Sequence, residues 1–302
     1  MSDVFRPWGD EPFETPDDYR AYWDEALGEA RDHAIALSRT SIDTGLTEIE
    51  VFDVSFAGAN GRRVDGWLRL PKHRTGPLAA VVHFNGYGAG RLADIDDLTW
   101  ASAGFAQLVM GTHGQRDGST GHLLEGLDDP RSFYYRGVLT DGARAVDALR
   151  SLDEVDANRV AAIGNSQGGG IALGVGALVP DLRAVLAQSP FLTHAPLAVQ
   201  TAKHGPWDEL RGYLTENPHL IERAGRTFAY VDGITSARHA SAPGWITAGE
   251  IDDICPPETA VAADTAYAAP VTLRTWPNAG HESGGSRDRR GAIEVLRGVF
   301  WG

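Results

Sequence analysis

The sequence predicts an α/β chain wound on both faces of a mostly parallel sheet. Three observations carry that expectation. Short apolar runs recur at Leu78–Phe84, Ala103–Met110, Val160–Ile163 and Ala184–Ala187, as strands buried on both faces require. Segments with helical spacing alternate with them, such as Leu139 to Leu149 with apolar residues at 139, 143, 146 and 149. Between Ile163 and Ile171 the chain reads Gly-Asn-Ser-Gln-Gly-Gly-Gly, a Gly-x-Ser-x-Gly turn with a strand before it and a helix-compatible run after it.

The remaining elements follow in order. Thr15-Pro16-Asp17-Asp18 reads as a helix start, with Pro16 in the first turn and Tyr19, Tyr22, Trp23 and Leu27 along one face. Glu48–Phe56 alternates like a strand, Gly58-Ala59-Asn60-Gly61 turns it, and Val64–Leu70 returns until Pro71 stops it. That is an antiparallel hairpin ahead of the main sheet. The strand at Leu78–Phe84 ends in a glycine-rich loop, Asn85-Gly86-Tyr87-Gly88-Ala89-Gly90, and the next strand ends in Gly111-Thr112-His113-Gly114-Gln115. From about 191 to 240 the pattern weakens: prolines at 196, 206 and 218 and many polar residues predict short helices that stay out of the sheet, a helical lid insertion. Pro243–Ala248 resumes the sheet, Pro256–Tyr267 reads as a helix, Val271–Trp276 as the last strand, and Arg287–Phe300 as a closing helix. The whole, 1–302, reads as a single domain.

Composition narrows the function. Apolar content of 42% and charged content of 23% are ordinary for a globular protein. A net charge of −14 with no basic stripe argues against nucleic acid and anionic membranes as partners. The single cysteine, Cys255, excludes an intrachain disulfide and suits a reducing compartment, so a cytoplasmic protein is expected. Met1 to Pro7 carries no apolar signal-peptide core, and no stretch approaches ~18 uninterrupted apolar residues.

The serine turn carries the chemistry. A nucleophile elbow strains the serine backbone, so its neighbours must be small, and Gly164 and Gly168 meet that need. The turn lifts Ser166 above the sheet and aims the backbone N–H of Gln167 at the oxygen of a carbonyl under attack. In an α/β hydrolase the acid and the histidine follow the serine in chain order, on the loops after the last two strands. Those loops here are Gly249-Glu250-Ile251-Asp252-Asp253-Ile254-Cys255 and Pro277-Asn278-Ala279-Gly280-His281-Glu282. His281 is the candidate base and Asp252 the candidate acid, with Glu250 and Asp253 as alternatives. The second oxyanion donor is expected from the glycine-rich loop, with the N–H of Tyr87 preferred.

These residues resemble carbohydrate esterase family seven, the acetyl xylan esterase and cephalosporin C deacetylase group of serine hydrolases. The likeness runs from about Thr15 to Gly285. It includes Tyr22-Trp23, Val51–Phe56 with Gly66-Trp67-Leu68, Asn85-Gly86-Tyr87, Asp129–Arg136, the Gly164–Gly169 elbow, Asp252-Asp253-Ile254-Cys255-Pro256-Pro257 and His281-Glu282. The resemblance implies an α/β-hydrolase fold and a Ser166–His281–Asp252 triad, with Asp252 preferred over Asp253. It also implies an oxyanion hole from the Tyr87 and Gln167 amides. Family members deacetylate short xylo-oligosaccharides and cephalosporin C and assemble as hexamers, which implies a small-molecule ester substrate, a homo-oligomer and no cofactor or metal. Two departures stand out. The family's Arg-Gly-Gln signature is His113-Gly114-Gln115 here, which makes His113 and Gln115 candidate neighbours of the site, and the segment 116–128 is shorter than its counterpart. The expected activity is that of a serine esterase removing acetyl or other short acyl groups from oxygen. The alternatives are a peptidase or lactone hydrolase on the same fold, or an inactive binding protein.

Overall fold

The structure, a computed structural model, describes residues 5–115 and 118–302. Arg116 and Asp117, which open the shortened segment noted above, lie outside the described residues. The strands are β1 (Ser38–Ile42), β2 (Ile49–Ala57), β3 (Arg63–Pro71), β4 (Leu78–Phe84), β5 (Ala106–Met110), β6 (Val155–Asn165), β7 (Val185–Gln188), β8 (Gly244–Gly249) and β9 (Val271–Trp276). They form one sheet in the order β1-β2-β3-β5-β4-β6-β7-β8-β9. The β1–β2, β2–β3 and β3–β5 pairs are antiparallel and every pair from β5–β4 onward is parallel. The expected hairpin is therefore the antiparallel end of the main sheet, extended by a strand that the sequence pattern did not reveal. β1 is almost wholly exposed and lacks apolar alternation, and it is a strand because it pairs along β2 from Ser38↔Ser55 to Ile42↔Val51.

Helices cover both faces. They are α1 (Tyr19–Arg31), α2 (Thr99–Ser102), α3 (Tyr134–Arg150), α4 (Gln167–Leu178), α5 (Ala195–Thr201), α6 (Pro206–Glu216), α7 (Ile221–Phe228), α8 (Gly233–Arg238), α9 (Pro257–Ala266) and α10 (Ser286–Trp301). One face of β4 and β6 packs Val82, Phe84 and Ala162 against α3 and α4, and α1 and α8 extend this larger core. The other face packs Val81, Ala161 and Ile163 against Trp100, Phe105 and the α10 residues Leu296 and Phe300. The apolar runs are strands buried on both sides, as expected.

Several boundaries differ from the sequence expectation, and β6, expected over Val160–Ile163, runs from Val155 to Asn165. α1 begins at Tyr19, so Pro16 lies ahead of the first turn and its carbonyl accepts the Tyr19 N–H at 3.0 Å. α3 begins at Tyr134, because Tyr134, Tyr135 and Val138 are buried and extend the apolar face toward the N-terminus. β5 begins at Ala106, because Ala103 and Gly104 close α2 and Gly104 takes φ 98°. Between 191 and 240 the chain forms α5 to α8, joined by the 3-10 turn Pro218–Leu220. Asp232 ties this region to itself, accepting backbone N–H groups from His194, Ala195 and Ile234 at 3.0, 2.8 and 2.8 Å.

Candidate active site

β6 ends at Asn165 and α4 begins at Gln167, so Ser166 alone makes the turn between them. Its backbone sits at φ 56°, ψ −120°, a conformation side-chain-bearing residues rarely adopt. Neighbouring backbone holds it there. Ser166 N–H donates to the Gln188 carbonyl at 2.9 Å, and the Ser166 carbonyl accepts from Gly170 and Phe191 at 3.0 and 2.9 Å. The flanking glycines are steric requirements: a Cβ on Gly164 would lie 2.2 Å from the Gly168 backbone, and one on Gly168 would lie 1.9 Å from the Phe84 carbonyl oxygen.

The acid and histidine loops converge. β8 ends at Gly249, β9 at Trp276, and they are parallel neighbours, so the loops after them leave the same sheet edge side by side. His281 Nδ1 lies 2.8 Å from Asp252 Oδ2. Asp252 Oδ1 accepts the backbone N–H groups of Ile254 and Cys255, both at 2.9 Å, and its side chain is fully buried. That leaves Oδ2 to fix the histidine ring and turns Nε2 outward. The alternative acids point elsewhere. Glu250 accepts from Thr275 Oγ1 at 3.0 Å, and Asp253 stands 3.7 Å from His204 on the surface.

Ser166 and His281 make no hydrogen bond to one another among the described residues. Looseness between nucleophile and base is common before substrate binds. Burial pushes the Cys255 thiol well above its ordinary pKa, and the Asp252 charge adds to the rise. Cys255 is thus a buried thiol whose own backbone N–H donates to the acid, Asp252. Sequence reading used it only as a redox marker and a motif letter; its position three residues after Asp252 was the available signal.

Gln167, the first residue of α4, has no carbonyl behind it in the helix to receive its N–H. Its side chain is fully buried and forms a reciprocal amide pair with Gln115. Gln115 Nε2 donates to Gln167 Oε1 at 2.6 Å, and Gln167 Nε2 donates to Gln115 Oε1 at 2.9 Å. Tyr135 Oη donates to Gln167 Oε1 at 2.9 Å, and Gln115 Nε2 also reaches Tyr134 Oη at 3.1 Å. Gln115 Oε1 accepts the Gly88 N–H at 2.9 Å, which clamps the glycine-rich loop one residue after Tyr87. The two loops expected to flank an oxyanion are thereby joined through one buried side chain. His113 borders this cluster, its ring packed on Tyr134 with centroids 4.6 Å apart and its carbonyl accepting from Tyr134 Oη at 2.5 Å. Its Nδ1 lies 2.8 Å from Oδ2 of buried Asp141, whose Oδ1 accepts the Ala59 N–H at 2.7 Å. The position where the family carries arginine therefore ties the loop after β5 to α3, while Asp141 itself joins α3 to the turn after β2.

This sheet, with the serine turn after its central strand and the acid and histidine loops after β8 and β9, defines an α/β hydrolase. Comparison with known proteins then places it: the chain belongs to the acetyl xylan esterase family AXE1, whose profile matches residues 10–296. It is similar to the acetyl xylan esterase from Paenibacillus sp. R4, with a TM-score of 0.89, 30% identity and 99% of each chain covered. It is also similar to acetyl xylan esterase 1 from Thermoanaerobacterium sp. JW/SL YS485, with a TM-score of 0.86, 28% identity and 95% of each chain covered. Among curated proteins it is 28% identical to the acetyl esterase Axe7A of Xylanibacter ruminicola over 263 residues, 81% of this chain. The chain spans 58% of the length of that relative.

Proposed function

We propose that the chain is a serine esterase that removes acetyl or other short acyl groups from oxygen through an acyl-enzyme. The observations that carry this reading are the strained turn at Ser166 and the hydrogen bond between His281 and buried Asp252, in a chain of the acetyl xylan esterase family. Ser166 Oγ attacks the ester carbonyl while His281 Nε2 takes its proton and delivers it to the leaving alcohol. Asp252 holds the imidazole tautomer and stabilises the imidazolium. The backbone N–H groups of Gln167 and Tyr87 stabilise the tetrahedral oxyanion, each worth ~10²–10³-fold in rate. Water, activated by His281, then releases the acid.

Acetylated xylo-oligosaccharides and cephalosporin C-like esters are the substrates this reading favours, supported by the family and its solved members. α5 to α8 act as the lid, supported by their place between β7 and β8, outside the sheet. A hexamer and a cytoplasmic setting complete the reading, the latter supported by a lone, reduced Cys255. Hydrolysis of p-nitrophenyl acetate by the wild type and its loss in Ser166→Ala test the activity. A matched p-nitroanilide separates an esterase, which leaves the amide intact, from a peptidase. A wild type inactive on the ester contradicts the reading.

A further inference from the structure

His281 sits on the loop between β9, which ends at Trp276, and α10, which begins at Ser286. That loop is sharply bent. Asn278 and Ser283 take φ 59° and 51°, left-handed values that residues with side chains hold only where their surroundings impose them. Asp252 holds the histidine ring through a single hydrogen bond, so the loop backbone needs a fastening of its own.

Asp288, buried in the first turn of α10, supplies it. Its Oδ1 accepts the indole N–H of Trp276 at 2.6 Å, and its Oδ2 accepts the Gly284 N–H at 2.6 Å and the Thr247 hydroxyl at 3.1 Å. Trp276 and Gly284 bracket the loop, and Thr247 lies on β8, the strand that leads into the Asp252 loop. One carboxylate therefore closes the histidine loop on itself and ties it to the acid's strand. The indole is held in turn. The Arg274 and Arg287 guanidinium carbons stand 3.9 and 4.3 Å from its ring centroid, and a Cβ on Gly284 would lie 2.3 Å from its Cε2.

The chemistry of the site is specific. All three partners are donors, so each oxygen of the group at 288 must accept. A carboxylate meets that need, whereas an amide of the same shape would set its NH₂ against a donor. From this we infer that Asp288 is a positioning residue for His281, a buckle that keeps the ring against Asp252 with Nε2 free to act as the base. The inference rests on the esterase reading for its effect on rate, but not for the placement of the ring.

Asp288→Asn tests it with two readouts. On p-nitrophenyl acetate, kcat should fall about 10²-fold with KM changed by less than about twofold, because displacing a reacting group by ~1 Å costs that much in rate. Proton–nitrogen correlation spectra of the histidine rings report the tautomer, with the His281 signals identified by their absence in His281→Gln. Wild type should show the Nδ1-protonated form, and Asp288→Asn a mixture with the Nε2-protonated one. An unchanged tautomer in Asp288→Asn, or an unchanged kcat, overturns the buckle. Trp276→Phe removes the donor that an amide would face, so in that background Asp288→Asn should cost at most about tenfold in kcat. An equal cost in both backgrounds also overturns it. Should Asp288→Asn not fold, Trp276→Phe alone carries the same readouts, with kcat lowered about tenfold for the one lost bond of three. A wild type that cleaves no acetate, yet changes its His281 tautomer on Asp288→Asn, refutes the esterase reading and leaves the positioning role standing.

Discussion

Replacing Gln115 with methionine keeps the volume of the side chain and removes its hydrogen bonds. The structure sets the size of the effect. Four bonds are lost: two between the Gln115 and Gln167 amides, one with Tyr134 and one from the Gly88 N–H. Gly88 is partly exposed and recovers water, and Gln167 Oε1 keeps Tyr135, but Gln167 Nε2 is left buried without an acceptor. An orphaned buried donor costs ~1–3 kcal/mol, so stability should fall by about 2 kcal/mol and the protein should still fold. The effect on rate should be larger. The loop bearing Tyr87 loses its clamp, and displacing a reacting geometry by ~1 Å costs on the order of 10²-fold. Steady-state kinetics on p-nitrophenyl acetate should show kcat reduced about 10²-fold with KM changed far less, because a preset oxyanion donor acts mainly in the transition state. A folded Gln115→Met protein with wild-type kcat would refute the clamp.

Three further outcomes are expected. Asp252→Asn should lower kcat by ~10⁴-fold, while Asp253→Asn should have little effect, because only Asp252 touches His281; equal losses would show that the wrong carboxylate has been assigned. Cys255 should resist a thiol reagent in the native protein and react once the chain is unfolded in denaturant, because it is buried with its thiol pKa raised. Rapid native labelling would contradict that. Burial pushes the Asp232 carboxyl up to about 6, against three backbone N–H donors that favour its charge. A carboxyl raised in the folded state stabilises the fold below its unfolded pKa and loses that contribution as pH rises through 6. The stability advantage of wild type over Asp232→Ala should therefore shrink by up to ~3 kcal/mol between pH 4 and pH 8; a pH-independent difference in denaturant unfolding would refute the shift.

What the sequence made legible depended on how local the cause was. The buried parallel strands announce themselves because both faces are apolar, and Ser166, Asp252 and His281 are readable because topology puts each on a known loop. β1 was invisible because Ser38–Ile42 has no apolar face of its own; β2 makes it a strand. α5 to α8 could be placed only as a region, since short helices between prolines leave too few turns for a periodic signal. The Gln115–Gln167 pair joins residues 52 positions apart, and nothing local marks Tyr134 and Tyr135 as its partners. The sequence marks His113 only as a candidate neighbour of the site, because the carboxylate it holds, Asp141, lies 28 positions away on α3 and is brought to it by packing.

The most direct test of the central claim is covalent. Treating the protein with a fluorophosphonate and mapping the adduct by peptide mass spectrometry should find the label on Ser166 alone, in step with loss of p-nitrophenyl acetate hydrolysis, and Ser166→Ala should take up none. Labelling of a different serine, or acetate hydrolysis that survives full modification of Ser166, would contradict the account.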